Sequence, residues 1–246
     1  TFDEVRTDGD CPSAYVLTRT WTATDECGNS TSHTQTVTVQ DTTAPTIDVE
    51  AGDIAVECDG SGNTTSLQAW LASNGGAVAS DICSSVTWTN NYTALSDGCG
   101  QTGTATVIFT ATDNCQNATT TTASFTIVDT TAPSITTQAA NASVECDGAG
   151  NTSALQAWLA SNGGAVASDI CSNVTWSNNF TALSDGCGQT GTATVIFTAT
   201  DNCGNATTTS ASFTITDTTA PSITTQAANA SVECDGAGNT AALQAW

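Results

Sequence analysis

The chain has 246 residues and a formal net charge of −22, with 24 Asp and Glu against two basic side chains, Arg6 and Arg19. So few cations exclude a nucleic-acid binder, which neutralises phosphates with Lys and Arg, and a basic helix lying on a membrane surface. No run approaches the ~20 apolar residues that span a bilayer, so no membrane insertion is expected in this segment, and no targeting signal opens the chain.

Between Pro45 and Trp246 there is no Lys, Arg or His. No such group is at hand to activate the many Ser and Thr hydroxyls, and only a carboxylate pair could do acid–base work. The composition therefore speaks against an enzyme. Eleven Cys in an acidic, Lys-free chain point to an oxidising, extracellular setting.

Repetition organises everything else. Thr-Ala-Pro ends at Pro45, Pro133 and Pro221, a step of 88 residues. Residues 1–44 match only the C-terminal half of this unit, 45–132 and 133–220 are complete and nearly identical units, and 221–246 match only the N-terminal part of another. Two continuations are open: the polypeptide runs on in both directions, or the tail of one copy completes the head of the next.

In chain order, residues 1–44 carry the strand-and-turn pattern of a half unit, with Arg19 and Trp21 where Val107 and Phe109 stand later. Arg19 and Trp21 are expected to form a same-face cation–π pair. The two complete units share one pattern. In 133–220, Ser134–Thr137 and Ala142–Cys146 are predicted to form a short hairpin, followed by a helix over Ser153–Ser161. That helix is capped by Asn151, Thr152 or Ser153 and stopped at Gly163-Gly164, with Leu155, Trp158 and Leu159 on its inner face.

A second hairpin, Asn173–Asn178 with Phe180–Leu183, is predicted to turn near Asn179. Thr192–Thr200 and Thr207–Thr216 alternate strictly, with Ala193, Val195, Phe197, Ala199, Ala211, Phe213 and Ile215 inward and a DNCGNA turn between the strands. Trp158 and Trp176 read as core residues. The fold class is mainly β: tandem immunoglobulin-like β-sandwich domains, each with one short helix, arranged end to end.

Small sandwiches bury a limited core, and two disulfides per unit would reinforce each by ~2–4 kcal/mol apiece. The long strand separates Cys187 from Cys203 by more than the ~7 Å between Cα atoms that a disulfide allows. Cys171 and Cys187, placed symmetrically about Asn179, are expected to pair, which leaves Cys146 with Cys203. The equivalents are Cys83–Cys99 and Cys58–Cys115, with Cys11, Cys27 and Cys234 unassigned. No CxxC spacing supports zinc.

The same strand order places the acids at two poles. Glu145, Asp147 and Asp201 are expected at the entry end of a unit, and Asp169, Asp185 and Asp217 at its exit. At the junctions, Asp81, Asp97 and Asp129 would then face Glu145, Asp147 and Asp201, while Asp169, Asp185 and Asp217 would face Glu233 and Asp235. Ca²⁺, which takes 6–8 oxygen ligands, would offset this crowding. The alternative is that the carboxylates are simply solvated and keep the chain soluble. The D-G-x-G-N stretch at Asp147–Asn151 reads equally well as a helix-entry turn.

The stretch GTATVIFTATDNCGNATTTSASFTITDTTAP resembles hyalin-repeat and related immunoglobulin-like repeats, and VECDGAGNTSALQAWLASNGGAVASDIC resembles a variant found in large Bacteroidota surface proteins. The likeness covers both complete units. It implies a structural tandem-repeat extracellular stalk or filament of a bacterial cell surface, partnered by neighbouring repeats or by copies of itself. The alternative is an adhesin segment that binds carbohydrate or another cell, marked by exposed Trp88 and Trp176.

The resemblance also implies covalent O-glycans at Asp-Thr-Thr, on Thr42, Thr130 and Thr218; the plain alternative is an interdomain linker. Asn91, Asn117, Asn179 and Asn205 open N-x-S/T triplets, most of which would be unused turns in a bacterium and glycan sites in a eukaryote.

Overall fold

Alternation decides the long strands. The computed structural model describes residues 1–246. In it residues 1–44 form one antiparallel sheet of β1 (Phe2–Asp8), β2 (Tyr15–Thr24) and β3 (Ser30–Val39).

The first complete unit comprises β4 (Thr46–Val49), β5 (Ile54–Glu57), α1 (Thr64–Ala72), β6 (Val78–Ser80), β7 (Thr87–Asn90), β8 (Gly103–Thr112) and β9 (Ala118–Val128). The second repeats it with β10 (Ser134–Thr137), β11 (Ala142–Glu145), α2 (Thr152–Ala160), β12 (Val166–Ser168), β13 (Thr175–Asn178), β14 (Gly191–Thr200) and β15 (Ala206–Thr216). A last helix, α3 (Thr240–Ala245), lies in the final partial unit.

Each complete unit is a sandwich of a four-stranded sheet, ordered β11-β15-β14-β13 in the second unit, against a two-stranded sheet, β10-β12, and the helix. The inward positions of β14 and β15 are buried as their period of two requires: Ala193, Val195, Phe197, Ala199, Ala211, Phe213 and Ile215. The helix seals this face with Leu155, Trp158 and Leu159. Trp158 sits edge-on to Phe197 with ring centroids 5.2 Å apart, and its indole N–H donates to Ala140 O at 3.0 Å, so the buried donor is satisfied.

Two predicted hairpins do not form, for local reasons. β10 and β11 do not pair with each other; β10 pairs antiparallel with β12, and β11 runs parallel to β15. Between them, Gln138–Asn141 steps from one sheet to the other. Its polar groups find partners on other elements: Ala139 N–H donates to Thr209 Oγ1, Ala140 N–H donates to Gly163 O, and Asn141 Oδ1 accepts from Ser212 N–H. With those demands met, the chain need not reverse.

Nor does it turn at Asn179. The Asn179 N–H donates to Ile196 O and its Oδ1 accepts the Ile196 N–H at 2.8 Å, so this residue bonds along β14 and the chain carries on beside that strand to Ser184, whose N–H donates to Thr192 O. The reversal comes later, where Gly186 N–H donates to Thr190 O around Cys187.

These two changes reassign the poles. β11 ends beside the end of β15, so Cys146, Glu145 and Asp147 lie at the exit pole. β12 returns to the start of β10, so Asp169 and Cys171 lie at the entry pole. The Asp201–Asn205 turn lies at the entry pole, as predicted.

The disulfides differ accordingly. Cys58–Cys115, Cys83–Cys99, Cys146–Cys203 and Cys171–Cys187 would each span the length of a unit or join residues at opposite ends, and none forms. The bonds are Cys11–Cys115, Cys58–Cys171 and Cys99–Cys203, with Cα atoms 5.1, 6.0 and 5.1 Å apart. Each links the exit pole of one unit to the entry pole of the next.

The half unit departs from the others. Arg19 does not stack on Trp21; its Nε donates to Glu4 at 2.7 Å. Trp21 lies against Phe2 and His33, and the cation–π contact is Arg6 over Tyr15, 4.1 Å from the ring centroid.

Candidate metal centre at the seams

The linker between units, Asp129–Pro133, is held from both sides. On the preceding unit, the Glu57 carboxylate accepts from the Thr130 N–H (2.8 Å), the Thr130 hydroxyl (2.9 Å) and the Thr131 hydroxyl (2.8 Å). Glu145 grips Thr218 and Thr219 in the same way. These bonds hold both glutamate carboxyls below their ordinary range. They also engage the Thr130 and Thr218 hydroxyls that the sequence offers for sugars.

On the following unit, Asn205 Nδ2 donates to Asp129 O at 3.0 Å and to Asp201 Oδ2 at 2.8 Å. Asn117 does the same for Asp41 and Asp113. The side-chain amides of these two N-x-S/T asparagines are therefore already in use, and both residues are half-buried.

At this point three carboxylates converge. Ligand oxygens of Asp129, Asp169 and Asp201 all lie within 4.8 Å of one another, and those of Asp41, Asp81 and Asp113 do the same at the previous seam. Each is placed by its element: Asp129 follows β9, Asp169 follows β12, and Asp201 opens the turn after β14.

Asp201 is held by hydrogen bonds on both oxygens. Its Oδ1 accepts the Cys203 and Asn205 N–H groups at 2.8 Å, and these bonds with Asn205 hold its pKa down despite burial. Asp169 Oδ1 accepts from Cys171 and Ser172 N–H, both at 2.9 Å. Asp129 is different. It is 9% exposed, and its Oδ2 is buried with no hydrogen-bond partner, as is Asp41 Oδ2. Burial, with further contributions from Asp169, Asp201 and Glu57, pushes the Asp129 carboxyl up.

The other sequence candidates do not join these clusters. Asp97 and Asp185 sit exposed in the exit turns. Asp147 and Asp235 close the helix-entry turns: Asp147 Oδ1 accepts from Ala149 and Asn151 N–H, and Asp235 Oδ1 from Ala237 and Asn239 N–H. Glu145 holds the linker, Asp217 accepts from Thr219 N–H, and Glu233 is exposed with its carbonyl accepting from Asn239 Nδ2. The expected junction sets, Asp81, Asp97 and Asp129 against Glu145, Asp147 and Asp201, and Asp169, Asp185 and Asp217 against Glu233 and Asp235, are replaced by the two triads. Asp41 and Asp113 are absent from those expected sets, although the 88-residue step makes them the equivalents of Asp129 and Asp201.

The seams are covalently closed. Cys58–Cys171 and Cys99–Cys203 both bridge the two complete units, and Gln101 N–H donates to Cys171 O at 2.9 Å across the same junction. Trp88 and Trp176 pack half-buried against the cores of their units.

No protein-family model matches the chain, and no curated protein does. Among solved structures it is similar to the EC1-3 fragment of mouse clustered PcdhgC3, at 12% identity over 85% of this chain and 79% of that one, with a TM-score of 0.28. It is similar to Drosophila N-cadherin EC1-4, at 11% identity over 83% and 58% of the two chains, TM-score 0.29. It is also similar to an E-to-A variant of titin domains I67-I69, at 10% identity over 87% and 82%, TM-score 0.33. These likenesses are loose. The class of the chain rests on its own architecture, a tandem array of immunoglobulin-like β-domains.

Proposed function

We propose that this chain is a segment of an extracellular stalk or filament, built to hold length and stiffness and performing no catalysis. The observation that supports this most is that its disulfides run between units instead of within them. A fold that needed reinforcement alone would gain as much from bonds inside each domain. Bonds between successive domains fix their relative orientation, which serves a spacer.

The offsets repeat: two bonds span 104 residues and one spans 113. Under those offsets each of the five free cysteines, Cys27, Cys83, Cys146, Cys187 and Cys234, would meet its partner outside residues 1–246. They are the positions at which a neighbouring repeat, in the same chain or another copy, would be joined. Disulfides also support an oxidising compartment, and a cell-surface setting follows from the reading as a stalk. The adhesin alternative needs an aromatic platform, and the packing of Trp88 and Trp176 against their cores does not favour it.

Force spectroscopy tests the proposal. Pulled from its ends while oxidised, the chain should extend only through residues 1–11, 99–115 and 203–246, because the sulfur bridges short-circuit the rest. Reduction should release the contour length of both complete domains. Full extension under oxidising conditions would refute the reading.

A further inference from the structure

We propose that the two carboxylate triads, Asp129–Asp169–Asp201 and Asp41–Asp81–Asp113, each bind one Ca²⁺ ion that fastens the linker to the domain following it. This goes beyond the stalk reading and does not depend on it.

A cluster of acids on a wet surface would not carry this inference, because solvated carboxylates need no counter-ion. In these triads one oxygen of the group contributed by the linker, Oδ2 of Asp129 and of Asp41, has left water. Asp129 is 9% exposed, and its Oδ2 has neither solvent nor a donor. One oxygen from this carboxylate and one from each of Asp169 and Asp201 lie within 4.8 Å of one another. No Lys, Arg or His occurs anywhere between Pro45 and Trp246 to compensate. Asp129 Oδ1 accepts only the Thr131 N–H, at 3.3 Å, and a buried carboxylate oxygen without a donor beside like charges is strongly unfavourable, yet the arrangement is built twice, 88 residues apart, with the same orphaned oxygen on Asp41.

The donor set selects the ion. All ligands are carboxylate oxygens, which suit hard cations. At the Asp129 triad the nearby Cys171 and Cys203 sulfurs are tied up in disulfides and cannot bind a soft metal; at the Asp41 triad Cys115 is likewise bonded, while Cys83 is a free thiol. Asp81 and Asp169 are half-buried, and each lines an open cleft, of about 220 Å³ beside Asp41 and Asp81 and about 490 Å³ beside Asp169. Water can therefore complete a high, irregular coordination number, which Ca²⁺ accepts more readily than Mg²⁺.

The oxygens facing the ion are already oriented. Asp169 and Asp201 are each fixed by two backbone N–H groups, and Asn205 ties both Asp201 and the Asp129 carbonyl. Three ligands from a linker and two separate loops would lock the entry angle of the domain.

Calorimetric titration of the oxidised 246-residue chain with CaCl₂, after EDTA treatment and dialysis, tests this directly. Two ions should bind per chain, with Kd on the order of 10⁻⁴–10⁻³ M, as in extracellular Ca²⁺ modules. The thermal midpoint should rise in Ca²⁺ and return on adding EDTA. Asp129→Asn should abolish one ion and Asp41→Asn the other. In EDTA, Asp129→Asn should melt no lower than the unsubstituted chain, since it removes a charge from among like charges.

Should Asp129→Asn fail to fold, Asp169→Asn takes its place. Its side-chain oxygen can still accept from Cys171 and Ser172, so loss of one Ca²⁺ with circular dichroism unchanged gives the same answer. No heat at 5 mM Ca²⁺, unchanged stoichiometry in a folded variant, or an equal midpoint rise with KCl at matched ionic strength would each overturn the proposal.

Discussion

Gly100 and Gly188 occupy the same repeat position with the same left-handed backbone, φ +59° and +64°, but only Gly100 faces another unit. A Cβ on Gly100 would meet Cys171 O at 2.6 Å and Ser172 Cβ at 2.7 Å, whereas one on Gly188 would meet nothing within 4 Å. Gly188→Ala should therefore cost only the backbone strain, about 1–2 kcal/mol. Gly100→Ala should cost distinctly more and slow closure of Cys99–Cys203, as read by denaturant unfolding and by thiol titration during refolding. Equal losses at the two positions would contradict a packed seam at Gly100.

Nothing in the local sequence around Gly100 distinguishes it from Gly188, because the partner surface lies in another unit. The asparagines before the helices were legible only in part. Asn151, one of the three cap candidates, precedes its helix, as do its equivalents Asn63 and Asn239, but each sits in the left-handed region and makes no side-chain cap to its helix. Asn63 and Asn151 instead brace the turn, as in Asn151 Nδ2 donating to Glu145 O and its Oδ1 accepting from Asp147 N–H.

Within each unit the helix and the two longest strands form the core, and this was readable because their periods, 3.6 and 2, expose which face is apolar. Trp158 is the residue that joins them, touching Phe197 and Phe213 and donating to Ala140 O on the crossing between β10 and β11. Trp158→Ala should destabilise its unit by about 3–5 kcal/mol. Trp158→Phe should lose less, retaining most of the apolar contact while leaving the Ala140 carbonyl without its donor. Equilibrium unfolding followed by near-ultraviolet circular dichroism measures both, and a Trp158→Ala loss under 1 kcal/mol would mean the helix is not part of the core.

The short strands at Ser134–Thr137, Ala142–Glu145 and Thr175–Asn178 were legible in place but not in pairing, because four residues carry too little periodicity to name a partner. Gln138–Asn141 and Asn179 look like turns by composition. Hydrogen bonds with Gly163, Thr209, Ser212 and Ile196, all distant in sequence, make them a crossing and a continuation.

That crossing and that continuation decide the layout of the whole molecule. With Cys146 and Glu145 at the exit pole and Asp169 and Cys171 at the entry pole, the domain-internal pairs expected from the sequence are out of reach. The bonds cross the seams instead, and the acids regroup around the linker aspartates. The whole molecule thus turns on disulfide connectivity, which cleavage after glutamate reads cleanly. With Glu57, Glu145 and Glu233 cut, residues 58–145 and 146–233 become separate peptides, each holding four cysteines. Digestion of the denatured, thiol-blocked and unreduced chain, followed by mass spectrometry, should find these two peptides bonded to each other through Cys58–Cys171 and Cys99–Cys203, with the fragment containing Cys11 attached through Cys115. Recovery of 58–145 and 146–233 as unlinked species, each closed on itself, would contradict it.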